Sequence, residues 1–372
     1  MTSDSKKWIG ELIAPAGVSF DGTNPWDVKV FDERLFDRVR VDKTLGFGEA
    51  YMDGWWGCEN MDQLFYRLIR ADIEKNIKIS PAVIANTIKA KLFNLQSAKK
   101  SFEIGEKHYD LGNDLFVAML GRTMAYSCGY WKGTDDLDAA QEAKFDLICR
   151  KLGLKSGQKI LDIGCGWGSF MAYAAQKYGV SAVGITVSEE QADFARNYCK
   201  GLPVEIRLQD YRSLDEKFDN IVSVGMIEHV GSKNYRTYME MAKRCLKDDG
   251  LFLLHTIGGL KYGETTDPWI NKYIFPNGVI PSLRQITDSA EGLFVVEDMH
   301  NFGVDYDKTL MAWAKNFEQR WPELKEKYDD RFYRMWRYYL YSCAGAFRAR
   351  TLQLWQFVLS PRGVEGGYKS VR

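Results

Sequence analysis

A short apolar run that breaks into three glycines is the feature that most constrains the fold of this chain. The run Lys159–Ile163 has the composition of a buried strand, glycines follow at positions 164, 166 and 168, and Ser169–Tyr178 is typical of a helix. Glycine permits positive φ and lets a ligand approach the backbone without obstruction by Cβ atoms. Strand, glycine turn and helix in this order predict the nucleotide-binding start of a doubly wound sheet.

The residues around the turn indicate which nucleotide binds. A dinucleotide site needs a glycine at position 169 and an acid at the tip of the next strand. Position 169 is Ser, and the next strand ends in Thr186, Val187 and Ser188 without an acid. An acid, Asp162, instead precedes the first glycine, and the resulting pattern hxDxGxGxG resembles motif I of S-adenosylmethionine-dependent methyltransferases. An ordinary strand–turn–helix corner is the alternative. The motif residues predicted to meet the cofactor are Asp162, Gly164, Cys165, Gly166, Trp167 and Gly168.

Composition restricts the partners and the compartment. The 372 residues are enough for about two domains, and fifty basic residues balance fifty acidic ones, so no overall field attracts nucleic acid. Seven scattered cysteines without a C-x-x-C motif are typical of the reducing cytoplasm. No signal-peptide pattern follows Lys6 and Lys7, and no apolar run approaches the ~20 residues of a membrane span. We therefore expect any membrane contact to be peripheral.

The chain is predicted to form a small N-terminal domain, residues 1–95, and a larger domain, residues 96–372. In the first, residues 28–30 and 38–41 alternate like half-exposed strands, and 60–74 are helical. The glycine and aromatic cluster at 46–56 fits either a small core or a lipid interface. Residues 75–100 contain six lysines and no acid. Their apolar residues recur at helical spacing, which suits an exposed linker helix or a helix lying on anionic lipid.

Strands and helices alternate through the larger domain. The polar, aromatic segment 106–134 suggests a lid or pocket wall, and 136–153 form a helix. Strands are predicted at 159–163, 182–187, 204–208, 220–225 and 251–257, and later at 294–296 and 352–359, with helical sequence at 306–349. This order predicts an α/β fold with a doubly wound, mostly parallel, seven-stranded Rossmann-like sheet. Ligands then bind where the carboxyl ends of the strands converge.

Several longer strings identify a family. The strings are Gly48 to Trp56, His108-Tyr109-Asp110, Tyr126-Ser127-Cys128, Leu161 to Gly168, Gln209 to Arg212, Glu228 to Gly231, His300 to Tyr306 and Cys343 to Arg348. On these strings the chain resembles the bacterial cyclopropane-fatty-acyl-phospholipid synthases and, more distantly, the mycolic acid cyclopropane synthases. The resemblance implies a methyltransferase sheet with a small, mainly helical N-terminal domain. It also implies a homodimer that acts on unsaturated phospholipid while peripherally attached to the cytoplasmic, inner leaflet of the membrane.

The resemblance implies a reaction and a cofactor cradle. The methyl group of S-adenosylmethionine is transferred to a cis alkene, and loss of a proton from the new methyl closes a cyclopropane ring. An alkene is a poor nucleophile, so the donor must be held in line and close to it. The further residues expected around the cofactor are Tyr126, Ser127, Thr186, Val187, Ser188, Gln191, Asp210, Tyr211 and Arg212. Gln191 fits a solvated helix position equally well, and Tyr211 fits packing under the sheet edge.

For the base, the resemblance implies a bound bicarbonate ion. Its holders correspond here to Cys128, Glu228, His255, the backbone of Ile257, and Tyr306. Imidazole, phenol and backbone N–H groups donate to such an ion, and its hydroxyl can donate to a carboxylate. A satisfied core histidine and a capping acid are the ordinary alternatives for His255 and Glu228. Cys343 lies in a family string and is a weaker catalytic expectation, because no thiol nucleophile is required. No zinc-ligand spacing occurs, so no metal is expected.

Two other functions use similar motifs. A methyltransferase that produces a methyl branch or methylates an amine would have the same cofactor residues. A lipid- or cofactor-binding protein without turnover is the second alternative. The combination of Cys128, Glu228, His255 and Tyr306 favours ring formation over both.

Overall fold

The computed structural model describes residues 2–76, 112–263 and 265–372. The chain divides into two compact units. The first comprises residues 1–93, 265–276 and 306–352, and the second comprises 94–264, 277–305 and 353–372. The lysine-rich helix expected beyond residue 76 and the string His108-Tyr109-Asp110 lie outside the described residues. The division into domains at residue 95 stays a prediction.

A seven-stranded sheet forms the centre of the second unit, as predicted. Its strand order is β5-β4-β3-β6-β7-β9-β8, and β3, β4, β5, β6 and β7 pair in parallel. The two last strands of the chain, β8 and β9, pair antiparallel at the opposite edge. The strands are β3 Lys159–Ile163, β4 Ser181–Thr186, β5 Val204–Leu208, β6 Phe218–Val224, β7 Leu246–Gly259, β8 Val295–Asn301 and β9 Leu352–Ser360.

Helices cover both faces of this sheet, because consecutive parallel strands require crossover connections. Two apolar layers result: one contains Leu161 and Tyr238, and the other contains Ile160 and Met171. The helices of this unit are α4 Asn113–Leu120, α5 Leu137–Lys151, α6 Ser169–Tyr178, α7 Glu189–Tyr198, α8 Tyr235–Cys245 and α10 Leu283–Ala290.

The first unit is mainly helical, as the sequence predicts. Its helices are α1 Thr2–Ile13, α2 Arg34–Met52, α3 Met61–Arg70, α9 Pro268–Tyr273 and α12 Asp330–Arg348, together with most of α11 Val304–Leu324. Two short strands, β1 Lys29–Val30 and β2 Trp56–Gly57, pair antiparallel. The glycine and aromatic cluster is core: Phe47 stacks on Trp56 at 4.2 Å between ring centroids, and Trp56 is fully buried.

The strand predicted at residues 38–41 is wrong, because these residues lie inside α2. Leu35 and Phe36 are buried and Val39 is half-buried, which is the three-to-four-residue spacing of a helix. Val41, which completed the apparent alternation, is 69% exposed. Helix α2 bends at Lys43, whose φ is 54°.

None of the described helices combines the length and apolar composition needed to cross a bilayer.

Candidate functional site

The functional residues of the second unit collect at the carboxyl edge of its sheet. Strands β4 and β6 lie on either side of β3, so the chain order reverses there and leaves a crevice above the strand ends. The glycine turn follows β3, and Glu228 lies in a 3₁₀ turn, Ile227–His229, shortly after β6. His255 lies on the neighbouring strand β7, paired with Val224.

The three glycines of the turn have different physical roles. All have positive φ, but a Cβ on Gly164 would lie 2.5 Å from Met226, and one on Gly168 would lie 2.9 Å from Cys199. A Cβ on Gly166 would meet no atom within 4 Å, and the φ of this residue is 52°. Gly164 and Gly168 therefore permit packing, whereas Gly166 presents bare backbone to open space, as a nucleotide cradle requires.

An aromatic contact connects the glycine turn with the segment that carries Tyr126. Phe116 of α4 lies 4.8 Å from the Trp167 ring and 5.3 Å from the Tyr126 ring, measured between centroids. The Trp167 indole N–H donates to Asn113 Oδ1 at 2.9 Å. Helix α4 lies within the segment expected to be a lid or pocket wall. It brings two of the predicted cofactor residues, Tyr126 and Trp167, against one phenyl ring. Cys165, by contrast, packs into the apolar layer beneath the turn.

The residues after β4 bind one another. Ser188 Oγ accepts from the Gln191 backbone N–H and caps α7, and Thr186 Oγ1 donates to Gln191 Oε1 at 3.0 Å. The Ser188 backbone N–H donates in turn to Thr186 Oγ1. Gln191 is therefore a buried member of this network rather than a solvated helix residue. Val187, between them, is half-buried. Contact of these four residues with a cofactor stays a prediction.

Asp210, Tyr211 and Arg212, which were predicted around the cofactor, differ in their positions. Asp210 caps a 3₁₀ turn, Tyr211–Ser213, and forms an ion pair with Arg212 at 2.8 Å. The Tyr211 side chain lies in the apolar layer, edge-on to Tyr238 at 5.3 Å. The packing alternative therefore describes the Tyr211 ring, and contact of the three residues with the cofactor stays a prediction.

Glu228 is a buried carboxylate held by the backbone of the adjacent strand. Its Oε1 accepts from the Ile257 N–H at 2.7 Å, and its backbone oxygen accepts from Val279. Its Oε2 is buried and has no hydrogen-bond partner among the described residues. Burial raises the pKa of Glu228 to about 7, and hydrogen bonds from the Ile257 N–H, its own backbone N–H and the Thr256 hydroxyl partly oppose this shift. The Ile257 N–H, which the resemblance assigned to bicarbonate, is thus already engaged by Glu228.

His255 is a buried imidazole with one engaged nitrogen. Its Nδ1 lies 3.1 Å from Nε2 of Gln356 on β9, and its Nε2 has no partner among the described residues. Burial, with the nearby charges of Lys144 and Lys151, holds the pKa of His255 well below its ordinary value. His255 is therefore a neutral imidazole near pH 7.

A buried lysine that the sequence analysis did not identify interacts electrostatically with Cys128. Lys144 of α5 is fully buried and donates to Ser127 Oγ and Gln141 Oε1, both at 2.7 Å. No described carboxylate lies within 4 Å of its Nζ. Burial lowers the pKa of Lys144 and raises that of Asp162, while the opposite charges of the pair partly offset both shifts. Cys128 is also fully buried and lies within the field of the ammonium. The signal for Lys144 was its place on the apolar face of α5, four residues before Ile148.

The other two predicted catalytic residues belong to the first unit. Tyr306 is buried there, with its ring stacked on Phe347 at 4.4 Å. Burial raises the pKa of the Cys343 thiol to about 12, so this cysteine is protonated at neutral pH and unsuited to nucleophilic attack. Their predicted roles rest on the family resemblance alone.

The residues of the second unit fit two small molecules. The bare backbone at Gly166 fits a nucleotide-containing cofactor. The buried, unpartnered Glu228 Oε2 and His255 Nε2 are an acceptor and a possible donor, which suits a small ion that both accepts and donates. Among residues 2–76, 112–263 and 265–372, no group of three His, Cys, Asp or Glu side chains is arranged to hold a metal.

Known proteins are similar over most of the chain. A family model described as mycolic acid cyclopropane synthetase matches residues 96–357. The chain is 54% identical over 365 residues to the cyclopropane-fatty-acyl-phospholipid synthase of Escherichia coli strain K12, covering 97% of this chain and 94% of that protein.

Solved structures agree with this similarity. The cyclopropane synthase MmaA2 from Mycobacterium tuberculosis matches with a TM-score of 0.66 and 33% identity, covering 69% of this chain and 97% of that chain. Mycolic acid cyclopropane synthase CmaA1, complexed with SAH and CTAB, matches with a TM-score of 0.65 and 34% identity, covering 69% of this chain and 97% of that chain.

The open position at Gly166 predicts a specific loss of cofactor binding. Gly166→Ala should lower affinity for S-adenosylhomocysteine at least about tenfold, measured by calorimetry, because a methyl group would enter the cradle. Gly153→Ala is the matched control: its φ is 57°, a Cβ there also meets nothing within 4 Å, and it lies at the end of α5. Both variants incur left-handed strain of roughly 1–2 kcal/mol. Equal affinities for the two variants would contradict the cradle.

The raised pKa of Glu228 predicts a pH-dependent stability difference. The folded protein retains this proton to about pH 7, whereas the unfolded chain releases it near its ordinary pKa of 4.5. The protonated group therefore favours the fold at low pH, and this advantage is lost as the pH rises through 7. Glu228→Gln should gain up to about 3 kcal/mol over the wild type between pH 4.5 and 7, measured by urea unfolding.

A control for that experiment has the opposite sign. Hydrogen bonds from Arg207 lower the pKa of Glu205, an exposed residue. Glu205→Gln should therefore lose a little stability relative to the wild type as the pH rises toward 4.5, and the difference should then stay nearly flat up to pH 7. A flat difference for Glu228→Gln across this range would show that Glu228 is ionised in the folded protein well below pH 7.

Proposed function

The chain belongs to the mycolic acid cyclopropane synthetase family, and from this premise we propose the chemistry of its second unit. The protein is an S-adenosylmethionine-dependent methyltransferase that forms cyclopropane rings in the acyl chains of lipids. We propose that the acyl chains belong to unsaturated phospholipids and that a bicarbonate ion is the base. The observation that carries this proposal is the pair of buried, unpartnered atoms, Glu228 Oε2 and His255 Nε2, at the same sheet edge as the glycine turn.

S-Adenosylmethionine, when bound, supplies an electrophilic methyl group. The chain holds it with the backbone at Gly166 and, we propose, with the network of Thr186, Ser188 and Gln191. The contact from Phe116 to Tyr126 and Trp167 closes the turn on one side and excludes water. Exclusion of water matters because a positively charged acyl chain would otherwise be captured as an alcohol.

Bicarbonate, when bound, supplies a base that removes a proton from the transferred methyl group. The proposed holders in the second unit are Cys128, Glu228 and His255. The imidazole donates, and Glu228 accepts when ionised, so both polar atoms gain the partner that buried groups require. Burial lowers the pKa of Lys144 to about 7, and when this lysine is protonated its charge offsets part of the cost of burying an anion. The Ile257 N–H serves this site through Glu228. Tyr306 keeps the role that the resemblance implies.

The loop after β7 supports action at a membrane surface. Leu260 is 67% exposed and Tyr262 is 61% exposed, with Lys261 between them. This loop leaves the carboxyl end of β7, the strand that carries His255. Two apolar side chains flanking a lysine suit insertion at the interface of an anionic bilayer. We propose that the protein attaches peripherally to the cytoplasmic leaflet there, and that it acts as a homodimer.

Incubation with S-adenosylmethionine labelled in the methyl group and vesicles of unsaturated phospholipid tests the reaction. We expect label in a cyclopropane ring, and none with saturated phospholipid. Label in a methyl branch or on an amine would contradict ring formation, and binding without turnover would contradict catalysis.

Glu228→Gln should lower kcat by about 10²-fold or more while affinity for S-adenosylhomocysteine persists. Removal of carbon dioxide from the buffer should reversibly stop the wild type, and full activity without it would contradict bicarbonate as the base.

The exposed loop predicts a separation of membrane binding from chemistry. The double variant Leu260→Ser, Tyr262→Ser should no longer sediment with vesicles of unsaturated phosphatidylglycerol, yet should still act on the same lipid dispersed in detergent. Tyr198→Ser, at a residue of α7 that is 41% exposed, is the control and should sediment like the wild type. Unchanged sedimentation of the double variant would assign the lipid surface to another part of the chain.

A further inference from the structure

A buried glutamine contacts the imidazole of the site. Gln356 is fully buried on β9, within an apolar run that includes Leu354, Trp355, Phe357 and Val358. A buried amide that lacks hydrogen bonds is costly, so a polar residue at this position requires a physical reason. Among the described residues, its side chain has one hydrogen-bond partner, His255 Nδ1, which lies 3.1 Å from its Nε2. The pairing joins β9 to the neighbouring strand β7, which carries His255 of the proposed anion site.

The hydrogen bond determines which imidazole nitrogen carries the proton. A neutral imidazole has one N–H and one lone pair, and the nitrogen that accepts a hydrogen bond must be the bare one. The Gln356 amide N–H donates to Nδ1, so the proton lies on Nε2. That nitrogen is buried, and it is a donor without an acceptor in the part of the chain that the structure describes.

The reversed amide would give the opposite site. Gln356 Oε1 would then accept from an Nδ1–H, and Nε2 would present a lone pair, which repels an anion. It would also leave the Gln356 NH₂ group at the position of Oε1, which has no partner among the described residues. Only the orientation found in the structure offers an anion a donor at Nε2.

Burial keeps this imidazole neutral. It lowers the pKa of His255, and Lys144 and Lys151 of α5 act in the same direction. On β8, His300 is paired with Gln356 across the strands and lies 3.2 Å from Lys151 Nζ through its Nδ1. The neutral form is therefore the one whose tautomer matters.

We propose that Gln356 is a positioning residue that fixes His255 as the Nε2–H tautomer, so that this nitrogen donates to the bound bicarbonate. The proposal deepens the function proposed above and rests on it for the identity of the anion. The tautomer itself is a property of the ligand-free protein and can be measured without turnover.

Long-range ¹H–¹⁵N correlation spectra of protein labelled at histidine test the tautomer. Only four histidines occur in the chain, and His255→Phe identifies the His255 signals by their disappearance. We expect the wild type to show His255 with a bare Nδ1 and a protonated Nε2. In Gln356→Glu the carboxylate should accept from Nδ1–H, so the proton should move from Nε2 to Nδ1. Gln356→Met should give a mixture of tautomers. Gln353→Met is the control, because Gln353 lies on the same strand and accepts from Asn301 rather than from His255.

A second readout links the tautomer to the anion. In buffer depleted of carbon dioxide, the bicarbonate concentration for half-maximal activity should rise at least tenfold in Gln356→Glu, while KM for S-adenosylmethionine is unchanged. Wild-type His255 protonated at Nδ1, or Gln356→Glu that retains the Nε2–H tautomer, would overturn the proposal. A wild type with the expected tautomer but no response to bicarbonate would contradict bicarbonate as the base and as the acceptor of the Nε2–H. The assigned tautomer of His255 would then still hold. The wild-type measurement needs no variant, so the proposal remains testable if a substitution prevents folding.

Discussion

The hydrogen bond from the Ile257 N–H to Glu228 Oε1 is the interaction on which the proposed base site depends. It ties the turn after β6 to the end of β7, and it holds a carboxylate where water does not reach it. A buried carboxylate without such a bond would be strongly disfavoured as the anion. With one oxygen engaged by the backbone, the second remains available to a ligand. The neighbouring strand then adds His255, and the third strand in the row adds Gln356.

Charge balance distinguishes this pocket from an ordinary core. Glu228, His255 and Cys128 are all buried, and the buried Lys144 bonds to hydroxyl and amide oxygens rather than to a carboxylate. Because no acid bonds directly to Lys144, the charge of its protonated form acts on the surrounding groups, and it lowers the pKa of Asp162. A bound anion is therefore met by a positive field, and a neutral histidine adds a donor without adding charge. Burial nevertheless raises the pKa of both carboxyl groups, Glu228 and Asp162, to about 7.

Much of the fold was predictable because its signals are local. The glycine turn, the alternating strands and helices and the seven-stranded sheet follow from periodicity and turn chemistry, and the order of the polar strand ends placed Glu228 and His255 at one edge. The strand predicted at 38–41 failed because a four-residue alternation is shorter than one helical turn and a half. Packing decided that segment, through Leu35 and Phe36.

Details of the site depended on contacts between distant residues. Gln356 follows His255 by 101 positions, and only the sheet order makes them neighbours. From the sequence alone Lys144 is an ordinary lysine of a helix, and only the structure shows that it is buried. For Tyr211 the sequence left cofactor binding and packing open, and only the structure shows that its ring packs on Tyr238. The most direct measurement of the central claim is ¹³C NMR of labelled bicarbonate with the protein and S-adenosylhomocysteine. The account predicts one bound bicarbonate per chain, lost in His255→Phe, and no binding under conditions that support wild-type turnover would contradict it.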